Sequence, residues 1–433
     1  MRSAKDYCSY VGNAYFMAMD SLGSNTDIVV TCDLKRAVPV ETAVKAFQEL
    51  LAGHEALQRL RSRAPAAASW EWLAAPEQAW RQDWELIRNE LLETGIAPAA
   101  LHPACRLPFR LFECSELKLV FRVEHTFANG RGSYAWLERY FSLLSASQGL
   151  AAPEPAPAGQ AEIADDAPLR LALLHAAASL FRRKRILRGS SDMRLPLLRQ
   201  SRSPLFSFHA ERFVLSDREV SAAFLRHRAA GESYTQTLTR RLSEQVLADY
   251  PALRGVGVQV AADLHRHCGI DLYEVGNFTG LITGYIERRL PALEQTAALF
   301  KRIRGGAAPG FSKLFAQVMP NRLKLVRWFR GQCRSALEDA GELMMDPLFT
   351  VSNMGNIEGP HTCLWLAATS LRTSMPSVYV SATRIGEWTA FEVVFPDNIF
   401  DRQKIRALML RFFGFEQGLP PDHAERGALA GTA

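Results

Sequence analysis

The chain of 433 residues has little of what usually declares a protein's chemistry. No run approaches the roughly 18 consecutive apolar residues of a membrane span. The opening stretch, MRSAKDYCSYVGNAYFMAMDS, lacks the continuous apolar core of a signal peptide. Seven cysteines (Cys8, Cys32, Cys105, Cys114, Cys268, Cys333 and Cys363) are scattered and form no C-x-x-C pair. An odd, unpaired set points to a reduced, cytoplasmic chain without structural zinc. His265 and His267 form an H-x-H pair, but nothing near them in sequence completes a metal site, and a structural role is expected. There is no G-x-S-x-G elbow for serine hydrolysis and no glycine-rich nucleotide loop. The net charge of +6 is too small to argue for nucleic acid, and no nucleic-acid motif accompanies it.

What is present is apolar and patterned. An apolar fraction of 48% is ample for buried cores, and the length suits two or three domains at roughly 150 residues each. The most informative stretch is LKLVFRVEHTFANGRGSYAWLERYFSLL, from Leu117 to Leu144. Leu117, Leu119, Phe121, Val123 and His125 alternate along one face of an expected strand. Asn129, Gly130, Arg131 and Gly132 suit a turn, since glycine tolerates positive φ. Trp136, Leu137, Tyr140, Phe141 and Leu144 then repeat at helical spacing. His125 thus ends a strand just before a turn into a helix. On spacing alone it is either a satisfied core histidine or an imidazole presented to a cleft.

The rest of the chain alternates strands and helices. Residues 27–34 read as a strand and Pro39 to Ala52 as a helix with Val44, Phe47, Leu50 and Leu51 on its apolar face. Ala151 to Pro168 is a Pro/Ala/acidic linker. It suggests a division into residues 1–160, carrying the His125 motif, and residues 161–433, with strands crossing to the first lobe. Pro168 to Arg188, which contains Arg182, Arg183 and Arg185, and Phe311 to Arg334 are basic amphipathic stretches. Each is either a surface helix packed on the core or a docking face for an acidic carrier protein or a membrane surface. Ser216-Asp-Arg-Glu219 is a capping box. Strands are expected at 213–215, 257–263, 377–381 and 388–395, with helices at 235–248 and 401–413. The tail beyond Gly418 is expected to be disordered.

His125-Thr-Phe-Ala-Asn129-Gly130 resembles the H-x-x-x-D-G signature of the chloramphenicol acetyltransferase-like superfamily, which includes condensation domains and free-standing alcohol acyltransferases. Glu124 stands where condensation domains have a first histidine, and Asn129 where the family has aspartate. The Gly130-Arg131-Gly132 continuation is closer in style to the free-standing enzymes. Asp263-Leu-His265-Arg266 resembles the family's D-L-R, Gly276-Asn277 its G-N, and Phe349-Thr-Val-Ser352-Asn353-Met-Gly355 its S-N-x-G, in family order. His54-Glu55 aligns with a segment whose arginine pairs with the signature aspartate in condensation domains. That alignment puts Gln58 at the arginine, with Arg59 or Arg61 as alternatives after a slip.

The resemblance implies a two-lobed α/β fold, each lobe a mixed sheet with helices, and an active-site tunnel between the lobes. It implies transfer of an acyl group from acyl-CoA or an acyl carrier protein to a hydroxyl or amine of a small metabolite or lipid. His125 is then the general base, and no cofactor is bound permanently. Asn129, Gly130 and Gln58 hold the motif, with an amide–amide bond from Asn129 to Gln58 in place of an ion pair. Ser352, Asn353 and the Gly132 amide are candidates for the oxyanion or substrate, with turn capping as the other role open to Ser352 and Asn353. The implied location is the cytoplasm, with peripheral contact at the inner membrane as the alternative. Two rivals remain at this stage: a non-catalytic binding or recruiting scaffold, which Glu124 and Asn129 keep open, and an amide-forming condensation enzyme.

Overall fold

The computed structural model describes residues 13–16, 18, 27–61, 72–74, 77–97, 107–150, 207–265, 269–318, 324–331 and 348–415. The linker at 151–168, the basic stretch at 168–188 and the tail beyond Gly418 lie outside the described residues.

The first lobe runs through β1 (Ile28–Leu34), α1 (Val40–Gly53), β2 (Arg59–Arg61), β3 (Trp72–Ala74), α2 (Glu77–Thr94), β4 (Phe109–Ser115), β5 (Lys118–Val123) and α3 (Gly130–Ser147). Helix α1 buries Val44, Phe47, Leu50 and Leu51, the face its spacing marks out. Helix α3 buries Trp136, Leu137, Tyr140, Phe141 and Leu144 on the same principle. Aromatic rings fill the space between helices and sheet: Phe47 meets Phe109 at 5.6 Å, and Phe121 meets Tyr140 edge-on at 5.0 Å.

The second lobe follows with β6 (Phe208–Ser216), α4 (Asp217–Ala223), α5 (Tyr234–Asp249), β7 (Gly255–Asp263), β8 (Thr279–Glu287), α6 (Ala292–Arg304), α7 (Ala307–Val318), β9 (Phe349–Asn356), α8 (Pro360–Trp365), β10 (Leu366–Arg372), β11 (Val378–Ile385), β12 (Trp388–Pro396) and α9 (Arg402–Phe413). The capping box forms: Glu219 N donates to Ser216 Oγ, and Ser216 N to Glu219 Oε2 at 2.7 Å. Of the Phe311 to Arg334 stretch, residues 311–318 lie in α7 and residues 324–331 are helical. Leu325 is buried there, while Lys324, Arg327, Trp328 and Arg330 face outward. No helix among the described residues is long and apolar enough to cross a membrane.

Each lobe has its own sheet. The six-stranded sheet runs β6-β12-β11-β9-β7-β8, with β9 parallel to β7 and β11 and the remaining pairs antiparallel. The four-stranded sheet runs β10-β1-β5-β4 and is antiparallel throughout. Strand β10, late in the chain, therefore closes the first lobe's sheet, pairing from Val29↔Arg372 to Asp33↔Ala368 before the register shifts at Leu34↔Leu366. Side chains tie the lobes at the same place. Arg212 of β6 donates to Asp33 of β1 at 2.6 Å, and Ser370 of β10 donates to Glu392 of β12 at 2.6 Å.

Candidate active site

Strand β5 ends two residues earlier, and starts one residue later, than its apolar alternation suggests. Leu117 is 46% exposed, and the strand's last residue is Val123. Glu124 N donates to Pro108 O at 2.8 Å, and Glu124 O accepts from Phe127 N at 2.8 Å. His125 therefore sits in the turn after the strand rather than in the strand. Glu124 and His125 are both buried.

The Asn129 to Gly132 segment is not a positive-φ turn. Gly130 and Gly132 are absent from the positive-φ glycines, and Gly130 opens α3. Asn129 is the N-cap, with Oδ1 accepting from Gly132 N at 2.9 Å. The glycines are there for close approach. A Cβ on Gly130 would collide with the Met354 sulfur, and one on Gly132 would lie 3.1 Å from Leu272 O. Because the Asn129 cap takes the Gly132 amide hydrogen, that amide is not free for an oxyanion, which corrects its assignment.

The expected bond from Asn129 to Gln58 is also corrected. Gln58 Nε2 donates to Leu51 O at 2.9 Å and Ala52 O at 3.3 Å, satisfying carbonyls at the end of α1. The Asn129 amide instead reaches the second lobe, donating to Phe278 O at 3.2 Å and to Asp263 Oδ1 at 3.4 Å. His265 Nδ1 lies 2.9 Å from Asp263 Oδ1 and 3.2 Å from Asn129 Nδ2. With both amide hydrogens used, the Nδ1–H tautomer fits, donating to Asp263. Burial pushes the Asp263 carboxyl up, but the His265 hydrogen bond and charge, with Arg131 at 3.9 Å, outweigh it and hold the carboxyl low. Asn129 and His265 thus join the lobes around one carboxylate.

A cavity of about 520 Å³ opens where the start of α3 meets the second lobe. Asn129, Gly130 and Arg131 form one side; Asp263 of β7, Arg304 of α6, and Ser352 and Asn353 of β9 stand on the other. Asn353 Nδ2 donates to Thr235 at 3.0 Å, while its Oδ1 accepts from Gly355 N at 2.9 Å. This second bond caps the bulge where β9 slips against β11, with Gly355 at φ +78°. Ser352 lies beside Tyr379, whose hydroxyl burial raises to about 12. The cavity therefore gathers Asn129, Gly130, Ser352 and Asn353, but not Gln58, Gly132 or His125.

His125 lies four positions before Asn129 and is covered. Phe16 stacks on its imidazole with centroids 3.7 Å apart and planes 19° from parallel. Its Nδ1 is buried without a hydrogen-bond partner from another described residue. Burial pushes its pKa down to about 3, partly offset by a bond with its own backbone, so the ring is neutral at neutral pH. Phe16 against His125 and the Asn129–His265 link were not legible in sequence, because each contact joins segments more than a hundred residues apart. Among the described residues no cluster of three metal-ligating side chains occurs.

Solved structures share this architecture. The condensation domain of the monacolin K polyketide synthase superposes with a TM-score of 0.57 at 12% identity, covering 94% of this chain and 95% of that one. The TRI3 trichothecene 15-O-acetyltransferase of Fusarium sporotrichioides gives 0.54 at 10% identity, covering 94% of each chain. The starter condensation domain of rhizomide synthetase in complex with C8-CoA gives 0.52 at 12% identity, covering 93% and 91%. No protein-family model and no curated protein matches the chain. The fold is the two-lobed chloramphenicol acetyltransferase-like fold.

Proposed function

We propose that the protein transfers an acyl group from acyl-CoA or an acyl carrier protein to a hydroxyl or amine of a small metabolite or lipid, with His125 as general base. The observation that carries this reading is an uncharged imidazole at the end of β5, just before a helix whose capped start lines a cavity between two lobes. A neutral imidazole can accept the proton of a hydroxyl or amine as that group attacks a thioester carbonyl. The tetrahedral oxyanion then collapses, and the thiolate leaves with the proton that His125 gained. The thioester supplies the activation, so the step needs no resident cofactor.

The cavity suits the donor arm: Phe300 and Ile303 offer apolar wall, while Arg131 and Arg304 offer cations to a phosphate. Ser352 remains the candidate oxyanion donor, its hydroxyl lying on the cavity wall beside Tyr379. Asn353 is the weaker candidate, since its amide is already engaged with Thr235 and the bulge. The acetyltransferase and condensation neighbours support acyl transfer as the class of chemistry, and the C8-CoA complex supports a CoA thioester as donor.

The test is to incubate the purified protein with a panel of acyl-CoAs and a cell extract, and to follow small molecules by mass spectrometry. The expected result is at least one acyl-mass product that depends on both donor and protein, with no acyl adduct on the protein. A scaffold would give no such product across the panel, and a persistent acyl-protein adduct would exclude direct transfer.

A further inference from the structure

Aromatic rings lead from the second lobe to His125. Phe329, in helical residues 324–331, meets Tyr15 edge-on at 5.3 Å. Tyr15 meets Phe16 edge-on at 5.2 Å, and Phe16 lies flat on the imidazole at 3.7 Å. Phe16 is buried, yet it belongs to neither lobe's core. It sits in a small separate cluster with Met375, Tyr379 and Val394. Tyr379 in turn stands beside Ser352, which lines the cavity between the lobes.

A general base has to come within about 2.6–3.2 Å of the proton it removes. His125 is only 6% exposed, so nothing can reach it that closely until a neighbour moves. Phe16 lies outside both cores, so its movement leaves each lobe's main packing intact. We propose that Phe16 occupies the acceptor's own subsite beside His125 and gives way to an acceptor that carries a neutral, flat apolar group of phenyl size. The walls set that chemistry. Met375 and Val394 are apolar, and the Tyr379 hydroxyl beside Ser352 provides a polar handle at the cavity side. A charged or highly hydrated acceptor would be desolvated there without a counter-charge in the cluster. Displacement also releases the imidazole from the burial that keeps its proton affinity low. Tyr15 against Phe329 is the latch that keeps the Phe16 ring seated.

This inference rests on His125 being the base, so its test reads the imidazole without turnover. Diethyl pyrocarbonate modification of the full chain is followed by peptide mass spectrometry, with buried His265 as internal reference. Phe16→Ala should speed modification of His125 roughly ten- to a hundredfold, the equilibrium factor for seating a phenyl ring, with His265 unchanged. Phe329→Ala, at the far end of the ring series, should give a smaller increase. Benzyl alcohol should protect His125 in Phe16→Ala, and glycerol should not. If Phe16→Ala does not fold cooperatively, Phe16→Leu carries the test, with an increase in the same direction expected. Wild-type modification rates in the folded variants, or equal protection by benzyl alcohol and glycerol, would overturn the proposal. Loss of acyl transfer as the activity would appear separately in the product assay.

Discussion

Asn129→Asp is the most telling single change in the link between the lobes. The amide nitrogen it replaces lies 3.4 Å from Asp263 Oδ1 and 3.2 Å from Phe278 O, both acceptors, at a position only 2% exposed. The new carboxylate keeps the cap on Gly132 N but turns its second oxygen toward those acceptors. Two charges 3.4 Å apart repel by about 5 kcal/mol at an effective dielectric near 20. Arg131, 3.9 Å from Asp263 Oδ2, offsets part of that, so a loss of about 3 kcal/mol is expected, at the low end of the cost of an uncompensated buried charge. Urea unfolding across pH is the assay. The unfolded chain ionises the new group near pH ~3.9, and the folded chain only at higher pH. The deficit should therefore be absent below about pH 4, grow as pH rises, and be complete above the raised folded value. Adding His265→Arg supplies a permanent cation and should recover much of the loss, giving favourable coupling in the double-mutant cycle. Adding Gln58→Arg should give none, since Gln58 faces the end of α1. A neutral Asn129→Asp, or additive effects with His265→Arg, would refute the reasoning.

Other expectations follow from the same packing. Gly132→Ala should cost about 1 kcal/mol in a thermal or urea melt, because its Cβ would press on Leu272 O and the Ala128 Cβ despite the better helix propensity. Arg212→Ala should cost about 3–5 kcal/mol, since it leaves Asp33 and buried Glu392 without their shared cation at the lobe junction. His125 titrates at about 3 folded and near ~6.5 unfolded, so stability should fall as pH drops below about 6.5. His125→Leu should flatten that acid slope by up to one proton, measured by urea unfolding from pH 7 to pH 4.

Much of the fold was legible because its signals are local. The faces of α1 and α3, the Ser216 capping box and the β11–β12 hairpin each rest on residues within one turn or one strand of each other. The motif stretch is legible in the order of its elements but not in their conformation. Glycine marks both positive φ and close approach, and sequence cannot tell which; here Met354 and Leu272 O decide it from the second lobe. An alignment of segments pairs Asn129 with Gln58, whereas its amide reaches Phe278 and Asp263, at sequence separations of 149 and 134. Phe16 carries no such signal, since the aromatics around it follow neither strand nor helical spacing.

The central claim is that His125 removes the acceptor's proton, and one rate tests it. Single-turnover acyl transfer should be measured for wild type and His125→Ala with the donor and acceptor found in the product screen, after circular dichroism and thermal melts establish that the variant is folded. The account predicts a loss of roughly two to four orders of magnitude with donor binding retained. Near-wild-type transfer by folded His125→Ala would contradict it.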